Sequence, residues 1–212
     1  MISDTTTRQK KNAATVKDFP HEILIAEFNY ARETAAQAME DRHKMINFFL
    51  ILIGIMVNAI GMLLTTDKAD SLLSSPDQRK SGVAILFFMI FIFGILYLLK
   101  LIRLRSAWVE SALSMNQVKD YYEKHFTEFK IEKEAFRWTR ETLNPKVINK
   151  LTTLFGLSAL LVIIVDSSSL FGLMIICLGL NNIVPVIIFF VLVFGLQVVY
   201  YKSALSEKRL KI

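Results

Sequence analysis

Cysteine and histidine are scarce: Cys177 is the single cysteine, and His21, His43 and His125 are the three histidines in 212 residues. One cysteine cannot form a disulfide or a cysteine-based metal site within its own chain. The histidines lie far apart and none stands in a metal-binding spacing such as HExxH. The phosphate-cradling patterns GxxxxGK and GxGxxG are missing as well. No enzyme, cofactor or metal is expected.

Charge is also absent from long stretches. Met45 to Thr66, MINFFLILIGIMVNAIGMLLTT, carries no charged residue, and at ~1.5 Å of helical rise per residue it covers a hydrocarbon core about 30 Å thick. Lipid offers no hydrogen bonds, so such a run must be helical. With 53% hydrophobic residues and a mean hydropathy of +0.43, the chain reads as an integral membrane protein. The first apolar run begins only after a long charged segment, unlike a cleavable leader, so it is expected to stay in the mature protein. Residue 2 is Ile rather than Gly and the tail reads KRLKI, which lack the acylation and prenylation signals.

The fold class expected is all-α, a polytopic protein of four transmembrane helices with cytosolic helical extensions. Residues 1–19 form a basic arm with no apolar period, expected to be disordered, whose charge suits anionic headgroups. Asp18 and Pro20 suit a helix start, and Leu24, Phe28, Ala31, Ala35 and Ala38 then recur at steps of three and four. With no breaker before Met45, residues 20–66 read as one helix continuous with the first span, and Glu40 and Lys44 stand at the favourable i, i+4 spacing. A second span covers 81–103. Its apolar stripe continues through Leu104, Trp108, Ala112, Met115, Val118, Tyr122 and Phe126, so 104–146 reads as a cytosolic helical hairpin ended by Asn144 and Pro145. The third span, 147–166, is short and needs Lys150 to snorkel. Residues 167–182 read as an outer re-entrant or interfacial segment, or as an extension of the third span that buries Asp166. The fourth span is 183–201, anchored by Tyr200, Tyr201 and Lys202, and 202–212 is a tail.

Basic residues decide the orientation. Residues 1–45, residues 100–150 and the tail after Tyr201 together hold 22 of the 25 lysines and arginines, and the 67–80 loop holds 3. Positive residues favour the cytoplasmic face, so both termini belong inside, as in a bacterial inner-membrane protein.

Polar and small residues at membrane depth are the candidate sites. Gly54 and Gly61 lie seven apart with Asn58 between them, a pattern that lets helices approach in lipid. Asn58 either ties helices together or lines a pore. Asp166 and Gln197 are further oligomer or pore candidates, while Asn181 and Asn182 read as an outer turn. Trp108, Tyr122 and Trp138 are candidates for a partner surface. Aromatics among basic residues can stack on nucleic acid, but their helical spacing points to a packed bundle instead, and nucleic acid is not an expected partner. Asp41 and His43 stand where the first helix meets the membrane, a place where a titrating histidine could act.

The segment EFNYARETAAQAMEDRHKMINFFLILIG, residues 27–54, resembles the start of small prokaryotic membrane proteins that accompany phage-defence enzymes. The overall layout is similar to accessory and effector membrane proteins of CRISPR-linked and RNA-editing defence loci. That resemblance implies a membrane component that forms a homo-oligomer and answers a cytosolic protein by opening the membrane. A non-conducting anchor that recruits a soluble enzyme is the alternative. No catalytic residue is implied.

Overall fold

The computed structural model describes residues 3–65, 75–125, 151–179 and 183–205, with side chains from residue 21 onward. These residues form four helices: α1 (Ser3–Thr65), α2 (Pro76–His125), α3 (Leu154–Leu178) and α4 (Ile183–Ala204). Each contains a stretch long and apolar enough to cross a membrane.

Local chemistry sets the helix ends. Ser75 starts α2 by accepting from the amide of Gln78 through both its hydroxyl and its carbonyl. Thr153 caps α3 in an extended conformation, its Oγ1 accepting from the Gly156 amide at 3.1 Å, which satisfies one orphan donor of the first turn. Gly156 is needed there, because a Cβ would lie 2.5 Å from the Leu151 carbonyl oxygen. At the other end Gly179 takes φ 76° and returns its amide to the Ile175 carbonyl at 2.8 Å.

One boundary differs from the sequence expectation, and one alternative left open there is decided. The 1–19 arm is not separate, since α1 begins at Ser3 and runs through Pro20. Ala13, Ala14 and the neighbouring Gln and Lys residues are strong helix formers, and an apolar stripe is not required for a helix to extend from one already built. Residues 167–178 are likewise not an outer re-entrant segment. They continue α3 without a break through Asp166, because no Pro interrupts the run and the aspartate finds a partner inside the bundle.

The chain divides into two compact units. One comprises residues 1–38 and 107–144. Within its described part, Ala31, Ala35 and Ala38 of α1 and Val109, Ala112 and Val118 of α2 are buried, with Leu24, Phe28, Trp108, Met115 and Tyr122 half-buried. Alanine on one side lets the two backbones approach.

The other unit comprises residues 39–106 and 145–212, and here all four helices meet. Met45 and Phe49 of α1, Leu98, Leu101 and Ile102 of α2, Ala159, Val162 and Ile163 of α3 and Tyr201 of α4 form one core cluster. A second cluster gathers Met56, Ile60, Val83 and Ile90, with Val165 and Ile176 packed against it. Three hydroxyls on these helices are satisfied locally: Ser106, Ser158 and Thr65 donate to the carbonyls four residues back at 3.1, 2.9 and 2.7 Å. That matters where no water is available.

Neighbouring phenylalanines separate packing from mere apolar character. Phe49 is fully buried, its ring 4.9 Å from that of Tyr97, whereas Phe48 is 68% exposed. Phe49→Ala is expected to cost ~3 kcal/mol or more, as large-to-small core changes do, while Phe48→Ala leaves the thermal unfolding midpoint in detergent nearly unchanged.

Candidate functional site

Within the four-helix unit Asp166 is a buried carboxylate, 1% exposed at the middle of α3. Its Oδ2 accepts a hydrogen bond from the Gln197 side-chain amide of α4. Its backbone carbonyl accepts from Ser169 Oγ at 2.7 Å. Its other face meets Gly94 of α2, where a Cβ would stand 2.7 Å from Asp166 Cγ. The aspartate therefore joins three helices, and only glycine at 94 leaves it room.

The α2 to α3 contact repeats this device. Gly172 faces Phe87, whose Cζ would be 2.7 Å from an added Cβ. Farther along, Arg105 faces Phe155 with its guanidinium carbon 5.1 Å from the ring centroid. The pairs Phe87 with Gly172, Gly94 with Asp166 and Arg105 with Phe155 ascend α2 while descending α3, so the helices run antiparallel with close approach set by two glycines.

Of the candidates read from the sequence, Asp166 and Gln197 are brought together within one chain. Gly54, Asn58 and Gly61 are not joined to them. A Cβ at either glycine would meet nothing within 4 Å, and Asn58 is exposed on the same side of α1. In the other unit, Tyr122 is half-buried and its hydroxyl bonds His21 Nδ1 at 2.6 Å, the rings meeting edge to face at 5.5 Å. Burial pushes the Tyr122 phenol upward. His21, Leu24, Ile25, Phe28, Val118, Lys119 and Tyr122 line a groove of about 330 Å³ in that unit. Trp108 is half-buried, and Trp138, Asn181 and Asn182 lie outside the described residues. His43 accepts from Arg42 Nη2 at 2.8 Å. Glu40 and Lys44 form an ion pair at 2.7 Å, which holds the Glu40 carboxyl below its usual range.

Gly94 and the pairing of Arg42 and Arg105 escaped sequence reasoning. Gly94 has the same signal as Gly54 and Gly61, a small residue inside an apolar run, and spacing alone does not say which glycine faces a neighbour. Arg42 and Arg105 had no role in the sequence reading. Both are buried, at 2% and 6% exposure. Their guanidiniums lie over the Phe155 ring, a contact worth about 2 kcal/mol when desolvated, whereas removing the partner of a buried charge costs ~3 to 5 kcal/mol.

No group of three or more His, Cys, Asp or Glu side chains that could hold a metal occurs among the described residues. No protein-family model, no curated protein and no solved structure matches the chain.

Gly94→Ala is expected to force α2 away from Asp166 and to lower the unfolding midpoint in detergent by several degrees, of the order given by a 1 to 3 kcal/mol overpacking penalty. Gly54→Ala, with open space around it, should leave that midpoint within about a degree of the parent, the small shift of a substitution that touches no neighbour.

Proposed function

We propose that the chain is a four-span subunit of the bacterial inner membrane, with both termini in the cytoplasm, that self-associates and responds to a cytosolic protein. Its output in this reading is ion leakage across the membrane in phage defence. The observation that carries self-association is the outward face of α1 formed by Gly54, Asn58 and Gly61. Asn58 stands within an apolar run, and lipid tails cannot hydrogen-bond an amide. A second copy can. Gly54 and Gly61, open on that face, let two backbones approach, and an interhelical amide bond in a membrane contributes ~0.6 to 2 kcal/mol.

The orientation is supported by the count of basic residues, 22 on the segments read as cytoplasmic against 3 on residues 67–80. The groove lined by His21, Leu24, Phe28, Val118 and Tyr122 offers the cytosolic partner an apolar seat. Ion leakage follows from the resemblance of residues 27–54 to defence-linked membrane proteins.

Three measurements test this reading. Cross-linking and size analysis in mild detergent should show an oligomer that Gly61→Leu and Asn58→Leu both reduce; unchanged assembly in both variants removes the α1 interface. With Cys177 replaced by Ser, a cysteine placed at Asp120 should resist an impermeant thiol reagent applied to intact cells, and labelling there reverses the topology. A potential-sensitive dye should report depolarisation when the protein and its triggering partner are both present. A retained potential under those conditions favours a non-conducting anchor.

A further inference from the structure

A groove of about 430 Å³ lies between α1 and α2 in the four-helix unit. Asp41, Lys44, Met45 and Phe48 line it from α1, at positions three and four apart that share one helix face, and Leu96, Tyr97 and Lys100 line it from α2. The uncharged run of α1 begins at Met45 and that of α2 ends at Leu99. The groove therefore straddles the border between charged and apolar sequence on both helices. From Asp41 to Phe48 its wall passes from charge to hydrocarbon over ~10 Å, at 1.5 Å of rise per residue.

The charged end is only partly matched. Lys44 pairs with Glu40 at 2.7 Å, and Glu40, then Asp41 at longer range, hold the Lys44 ammonium above its usual range. Asp41 and Lys100 close no ion pair of their own among the described residues. What the groove offers a ligand is thus one negative and one positive group. The apolar end is open as well, with Phe48 68% and Leu96 54% exposed. Tyr97 stands half-buried between the two ends, its ring 4.9 Å from that of Phe49, and an amphipathic ring suits such a border. A water-soluble ligand would leave the apolar end uncovered, and a hydrocarbon would leave the charged end unmatched. An amphiphile covers both.

We propose that this groove seats one phospholipid whose headgroup ends in a primary ammonium, of the phosphatidylethanolamine class. Lys100 meets the phosphodiester as a point charge, Asp41 accepts from the ammonium, and an acyl chain lies over Phe48 and Leu96. The pairing of signs selects the headgroup. A primary ammonium carries three N–H donors for the Asp41 carboxylate, whereas the quaternary ammonium of phosphatidylcholine carries none. An anionic headgroup such as that of phosphatidylglycerol brings no cation, so Asp41 would face its negative charge unmatched, and a contact of that kind counts against the wrong ligand. The inference rests on reading α1 and α2 as membrane spans and is independent of self-association, since one chain supplies every residue.

Lipid selectivity is tested on the full chain. Delipidated protein in neutral detergent is titrated with phosphatidylethanolamine, phosphatidylcholine or phosphatidylglycerol of identical acyl chains, and bound lipid is counted by native mass spectrometry. The wild type should bind one phosphatidylethanolamine saturably and prefer it to the other two by about threefold, the size of an exposed ion pair. Asp41→Asn should abolish the preference over phosphatidylcholine. Lys100→Gln should weaken phosphatidylethanolamine and phosphatidylcholine alike by about threefold to fivefold, and the exposed Lys202→Gln should behave as wild type. Equal binding of the three lipids, a preference for phosphatidylglycerol, or either groove variant matching the wild type overturns the site. Unfolding midpoints within about a degree of the parent show that the variants are folded; if one fails that check, the other decides. Extraction of cell membranes with alkaline carbonate reports on the spans separately. Release of the protein there removes both the spans and the groove, whereas a protein that stays in the membrane but shows no lipid preference removes the groove alone.

Discussion

A carboxylate among apolar helices must find its partners in the protein, and in the four-helix unit Asp166 does so by drawing two other helices onto α3. Gln197 of α4 supplies the donor, and Gly94 of α2 supplies the space. The surrounding architecture depends on this junction. With α2 held against α3 at Gly94, the same antiparallel register places Phe87 on Gly172 at one side and Arg105 on Phe155 at the other. The apolar cluster of Phe49, Leu101, Val162 and Ile163 then fills the interior between Asp166 and the arginines. Polar interactions fix the register, and dispersion between close-packed side chains adds attraction along the contact.

This unit separates its polar residues by role. Asp166 and Gln197 are spent inside one chain, where they bind helix to helix. Asn58 is turned outward with two glycines beside it. Arg42 and Arg105 sit at an end of the bundle, sharing a single aromatic ring. The first arrangement holds the four helices together, the second is the face on which the proposed self-association rests, and the third packs two cations against an aromatic ring. Each follows from the same rule, that a polar group away from water requires a partner, applied to an interior, an outward face and a rim.

Much of the helical content was legible because hydrophobic patterning is local. Four apolar stretches of sufficient length predict four helices, and the spacing of Leu24, Phe28, Ala31, Ala35 and Ala38 defines a face from sequence distance alone. One expectation failed and one alternative stayed open for a related reason. The polar residues 3–19 lack an apolar period, yet alanine and long straight side chains continue a helix without one. Asp166 read either as the end of a span or as a residue buried in a longer helix, and a partner 31 residues away decides for the second. A sequence read locally cannot supply that partner.

By itself, then, the sequence determined that the chain is helical and that its helices carry membrane-length apolar runs, since both depend on residue type and short-range period. Which glycines serve as contacts, and which polar residues meet, was decided only by tertiary structure. Gly54, Gly61 and Gly94 are equivalent as sequence, and Arg42 and Arg105 lie far apart along the chain. Packing distinguishes them: Gly94 faces an aspartate, Gly54 and Gly61 face open space, and the two arginines converge on one ring because antiparallel helices bring distant residues to the same level.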